Sequence, residues 1–66
     1  MSYTHDETFE IAGDIVHETD KAWLVNDGTK DVWLPKSQCE FTPSRGNVLH
    51  GVFDVPVWLA REKGLI

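Results

Sequence analysis

From Thr8 the chain alternates apolar and polar residues, and Thr8-Phe9-Glu10-Ile11-Ala12 carries the two-residue period of a half-buried strand. Gly13-Asp14 interrupts the pattern and Ile15-Val16-His17-Glu18 resumes it, which predicts one long strand with a bulge or sharp bend at the glycine. Two further runs, Lys21 to Val25 and Lys30 to Leu34, flank Asn26-Asp27-Gly28-Thr29 and predict a hairpin. Two registers compete. A two-residue Asp27-Gly28 loop sets Trp23 opposite Val32 and Ala22 opposite Trp33. A three-residue Asn26-Asp27-Gly28 loop puts Ala22, Leu24, Val32 and Leu34 on one face and Trp23, Val25 and Trp33 on the other. The second is favoured, because it separates small aliphatic residues from aromatic ones and leaves Gly28 at the left-handed position of such loops.

Pro35 cannot donate to a ladder, so Pro35-Lys36-Ser37-Gln38 is expected to form a single 3₁₀ turn between Leu34 and the short run Cys39-Glu40-Phe41. Thr42-Pro43-Ser44-Arg45-Gly46-Asn47 has the composition of a loop, and Val48 to Phe53 reads as a last strand with Gly51 at a bulge. A helix is predicted over 55–63: Asp54 precedes Val55-Pro56, and Lys63-Gly64 supplies a cationic last turn and a terminating glycine. Val55, Trp58, Leu59 and Glu62 share its inner stripe, which turns Trp58 inward as a lid over Trp23 and Trp33. Leu65 should fold back on Leu59 or Ala60, as in a Schellman motif. Residues 1–6 are polar and are expected to fray. The fold class is mainly β with one C-terminal helix: four or five strands in meander order, closed as a small SH3-like barrel over 1–66, with an OB-like barrel as the alternative.

Size sharpens the question of where the aromatic residues go. A chain of 66 residues buries only about 60% of its unfolded surface, so it needs its large side chains inside unless a disulfide, a metal or a partner helps. At least two of Trp23, Trp33 and Trp58 are therefore expected in the core. Cys39 is the single cysteine, which excludes an internal disulfide and suits a reducing cytoplasm. Met1 to Glu7 lacks the basic start and apolar stretch of a signal peptide, and no apolar run approaches the roughly 20 residues that span a bilayer. A cytoplasmic location is expected.

The formal net charge is −5. Asp6, Glu7, Glu10, Asp14, Glu18 and Asp20 fall in the first 20 residues with no Lys or Arg, whereas residues 21–66 hold six basic and five acidic side chains. Such an edge repels phosphates and disfavours general nucleic-acid binding; it is either a solvated strand face or a surface that meets a basic partner. His5, His17, His50 and Cys39 lack the spacing of a zinc site. No metal and no cofactor is expected. No nucleophile and base are paired by motif, and the carboxylate pairs Asp6-Glu7 and Glu18-Asp20 lie in polar sequence with nothing to desolvate them, so no enzymatic activity is expected. The candidate partner-binding residues are Trp23, Trp33, Lys36 and Trp58, since aromatic rings flanked by cations hold peptides or single-stranded nucleic acid on small barrels. Arg45 joins them in the nucleic-acid reading.

Lys21-Ala22-Trp23-Leu24-Val25 with Val32-Trp33-Leu34-Pro35-Lys36-Ser37-Gln38, and the final run Trp58 to Ile66, resemble small proteins of bacteriophages and bacterial mobile elements. That resemblance covers about half the chain and brings no catalytic residue. It implies an accessory protein that binds a host or phage protein, for example as an inhibitor. The expected function is thus a non-enzymatic protein-interaction module. The alternatives are a single-strand nucleic-acid-binding barrel and a homodimer that completes its core with a second copy.

Overall fold

The computed structural model describes residues 7–66, so the expectation for residues 1–6 lies outside the described residues. Five strands, β1 (Thr8–Glu18), β2 (Ala22–Asn26), β3 (Asp31–Pro35), β4 (Glu40–Ser44) and β5 (Asn47–Pro56), precede one helix, α1 (Val57–Glu62). They form a single antiparallel sheet in the order β3-β2-β1-β5-β4. Its ladder does not close into a barrel, since β3 and β4 remain its two edges. A simple meander would put β1 at an edge. Here β1 is central, because it is long enough to divide its pairing: Thr8 to Asp14 runs against β5, and Asp14 to Glu18 runs against β2.

The sheet is strongly curled. β2 and β4 lie three strand spacings apart, roughly 14 Å in a flat sheet, yet the rings of Trp23 and Phe41 are 5.9 Å apart between centroids. Phe53 lies between them, 5.5 Å from Trp23 and stacked on Phe41 at 4.5 Å. Around this aromatic group the core gathers Val25, Val32, Leu34, Cys39, Val55, Leu59 and Ala60, with Phe9, Ile11 and Ile15 packed against it. Every strand and the helix contribute to that one cluster.

Two facing glycines permit the curl. Gly13 of β1 pairs with Gly51 of β5 on the concave side. A Cβ at Gly13 would stand 2.6 Å from Val25 Cγ1 and 2.9 Å from the Asn26 carbonyl oxygen of β2. One at Gly51 would stand 2.1 Å from the Thr42 carbonyl oxygen and 2.9 Å from Cε1 of Phe41 on β4. Both outer hairpins therefore fold over positions where any side chain collides. Neither glycine bulges β1; the register shift in that strand lies between Ile15 and His17, at Val16, and it is what points Ile15 inward and His17 outward. Gly51 does border the irregular β4–β5 pairing, where the partner of Pro43 is Gly51 and that of Ser44 is Asn47.

The β2–β3 register differs from the expected one. Trp23 pairs with Leu34, Leu24 with Trp33 and Val25 with Val32, so the loop is the four residues Asp27 to Lys30. Two side chains build it. The Asp27 carboxylate accepts from the backbone N–H of Thr29 and Lys30 and from the Thr29 hydroxyl, while Asn26 Oδ1 accepts from the Gly28 N–H. These bonds to the ionised form hold the Asp27 carboxyl below its ordinary pKa. The consequence is that Trp23, Val25, Val32 and Leu34 face inward, whereas Leu24 and Trp33 face outward. Trp23 and Trp33 are not neighbours on one face.

The expected loop 42–47 is mostly strand: Thr42 to Ser44 belong to β4, where Pro43 is tolerated because β4 is an edge, and only Arg45-Gly46 turns. The helix also starts later than expected. β5 stays extended to Pro56 because it pairs with β1 as far as Thr8, so Val55 and Asp54 are strand residues. With α1 beginning at Val57, its buried residues are Leu59 and Ala60, and Trp58 points out. The carbonyl of Glu7 accepts from the Val57 N–H at its start. Its end follows the expected Schellman pattern, with Leu65 N–H donating to the Ala60 carbonyl, Gly64 N–H to the Arg61 carbonyl, and Gly64 at φ 75°. Lys30 Nζ, from the β2–β3 loop, donates to the Lys63 and Gly64 carbonyls and so ties the first hairpin to the helix terminus.

Because a side chain at Gly51 meets backbone rather than a yielding side chain, Gly51→Ala is expected to destabilise the protein by at least about 3 kcal/mol. Urea denaturation followed by far-UV circular dichroism checks this. A loss under about 1 kcal/mol would show that the β4–β5 hairpin relaxes freely.

Candidate partner-binding faces

The four sequence-predicted site residues are distributed over three places. Trp23 is half-buried in the aromatic group with Phe41 and Phe53. Lys36, on the turn after β3, places its ammonium 5.6 Å from the Trp23 ring centroid and pairs with Glu18 Oε2 at 2.5 Å. Its backbone N–H donates to the Lys21 carbonyl, which fixes the turn against β2. Trp23, Lys36 and Glu18 thus form an internal arrangement of indole, cation and carboxylate.

Trp33 lies on the convex face of β3 and is 42% exposed. Its row across the sheet is Trp33, Leu24 and His17, and the His17 ring meets it edge-on at 6.0 Å. Trp58, 51% exposed on α1, lies apart from that row. The expectation that at least two tryptophans are core is therefore overturned, as is that of Trp58 as a lid. Phe53, Leu34, Val25 and Val55 fill the interior instead, each with less than 2% exposure.

Trp58 borders an open cleft of about 520 Å³, whose other walls are Thr8, Ser37, Gln38, Glu40, Asp54 and Pro56. Strand alternation explains its composition. With Phe53 and Val55 pointing into the core, Asp54 must point out, and register places it between Glu10 of β1 and Glu40 of β4. Three carboxylates stand in one row. None has a basic partner within 4.0 Å among the described residues, where the ion pairs are Lys36 with Glu18 and His50 with Asp14. Like charges directly opposite across strands are destabilising. Sequence reasoning misses this row because it ends the last strand at Phe53 and leaves Asp54 ahead of the helix, and because no spacing along the chain pairs Glu10 or Glu40 with it.

Arg45 lies on the β4–β5 turn and Lys36 on the turn before β4, so the two cations of the nucleic-acid reading sit at opposite ends of β4. Among the described residues no group of three or more His, Cys, Asp or Glu is placed to hold a metal ion. Cys39 is buried in the core, its backbone N–H donating to the Pro35 carbonyl. Among the described residues no helix is long and apolar enough to cross a membrane. No family model matches the sequence, and no curated protein or solved structure matches it.

Burial pushes the Cys39 thiol up to about 11 from an ordinary value of 9.0. The sign follows: the folded state holds the proton more tightly, so the neutral thiol's contribution is fully present below about pH 9 and is lost as pH rises through about 11. In the native protein at pH 8 the thiol is expected to react with an aromatic disulfide reagent at least about 100-fold more slowly than in urea. Reaction at the unfolded rate would show that the core around Cys39 opens readily.

Proposed function

We propose that this protein is a non-enzymatic protein-interaction module, an accessory protein that acts by binding another protein in the cytoplasm. One observation carries the reading: Phe53, Leu34, Val25 and Val55 fill the core, and two of the three tryptophans are held outside it. Large exposed aromatic rings on a chain this small are costly in water and are the side chains that anchor protein interfaces. The uncompensated acidic row beside Trp58 supports a partner of opposite charge. A phage or mobile-element origin, in which such binding proteins act on host or phage targets, is part of the same proposal.

The same proposal treats the curled sheet as a small SH3-like barrel that the ladder leaves open between β3 and β4. The short Pro35 to Cys39 connection, in which the Gln38 and Cys39 N–H groups donate to the Pro35 carbonyl, bridges those two edges. Both edge strands also feed the common core.

Affinity capture from a lysate of the source cell tests the reading when wild type is compared with Trp33→Ala and Trp58→Ala. Each substitution is expected to change unfolding free energy by less than about 1 kcal/mol, because the rings are outside the core. At least one should remove a captured protein that wild type retains at micromolar concentration. Retention of no protein by the wild type, or the same set by all three, would overturn the proposal.

A further inference from the structure

The cleft under Trp58 carries an inference about the chemistry of the partner. Asp54 and Glu40, paired across β5 and β4, line it, and the register extends their row to Glu10 of β1 outside the cleft. Its wall is the exposed indole of Trp58, and Thr8, Ser37 and Gln38 add neutral hydrogen-bonding groups around a volume of about 520 Å³. The three carboxylates do not converge closely enough to chelate a metal ion. The two that line the cleft, Asp54 and Glu40, stand beside an indole, which suits an organic cation.

A second place in the molecule shows how that chemistry is satisfied. At Trp23 an ammonium lies over the indole and pairs with a carboxylate, the Lys36 and Glu18 arrangement. The cleft repeats the indole and the carboxylates on the outer surface. We infer that it receives an arginine or lysine side chain from an exposed segment of a partner protein, the cation stacking on Trp58 and donating to Asp54 and Glu40. This assignment rests on the interaction-module reading and names its site. A nucleic-acid strand does not suit the same groove, since its phosphates would face the acidic row.

The inference explains why three like charges remain side by side on a small sheet. Binding residues of this kind oppose stability, and their neutralisation should relieve the repulsion. Asp54→Asn and Glu40→Gln are therefore expected to raise the melting temperature, by about 2–5 °C each, while they weaken binding.

The test titrates the ¹⁵N-labelled protein with a ten-residue peptide of Arg and Lys interspersed with Gly and Ser, at 150 mM salt. The indole N–H signals of the tryptophans are followed separately. Expected is a shift of the Trp58 signal with the Trp33 signal unmoved, and affinity at least about tenfold lower for Trp58→Leu, Asp54→Asn and Glu40→Gln. Glu62→Gln, which removes an equal charge from the exposed side of α1, should lower it less than about twofold. Absence of a Trp58 shift, an equal loss in Glu62→Gln, or binding of a single-stranded oligonucleotide at Trp58 would each overturn the inference. So would a protein captured from lysate by wild type and kept by Asp54→Asn and Trp58→Leu, an outcome that leaves the interaction module standing.

Discussion

The fold depends on the close backbone approach at Gly13 and Gly51. These residues face each other across the two longest strands, on the concave side of the sheet. With no Cβ at either position, β2 crowds against β1 and β4 against β5, until Val25 and Phe41 lie over the glycines. That curvature brings aromatic residues of β2, β4 and β5 into one group, although the first and second of these strands are three spacings apart in the ladder. A chain this small reaches a single core only by wrapping its sheet around it.

Wrapping has a second consequence on the outside. Once Phe53 and Val55 are committed to the interior, the intervening Asp54 is committed to the convex face, and the ladder fixes which residues flank it. The acidic row is thus a product of alternation and register, and its repulsion cannot be relieved by moving one side chain. Around Trp23 the opposite holds, because Lys36 arrives from the neighbouring turn and reaches both the ring and Glu18. Lys30 behaves similarly, reaching from the first hairpin to the helix terminus. Lys36 and Lys30 thus close the local chemistry at their turns, and among the described residues no cation does so beside Trp58.

Much of the fold is legible in the chain. Period-two alternation identifies β1 as one long strand, Asn26 to Thr29 marks the first hairpin, Pro35 to Gln38 marks a turn, and Gly64 with Leu65 terminates the helix as expected. The failures have two causes, long-range pairing that overrides local propensity and side-chain bonds within a turn that hydrophobic periodicity does not register. Val55-Pro56 resembles a helix start, yet β1 holds both residues in β5 and rotates Trp58 outward. The preferred hairpin loop looks reasonable by hydrophobic segregation, yet two Asx side chains lengthen it and separate Trp23 from Trp33. Pro43 suggests a loop, although an edge strand tolerates it. Of the candidate site, Trp58 is legible as a partner-binding residue, but Asp54 and Glu40 beside it are not, because only strand register brings them together.

By itself, the sequence determined the type and approximate place of the elements, the absence of an internal disulfide and the excess of acid in the first 20 residues. These follow from residue identity and short-range periodicity, which act within a few residues. Only the tertiary structure decided which tryptophan is packed and which two stand in solvent. It alone aligned Glu10, Asp54 and Glu40 in one row and set the last two beside one of them. The physical reason is that a strand's face is set by its partner's register, and a one-residue change in a loop or a helix start exchanges inside for outside.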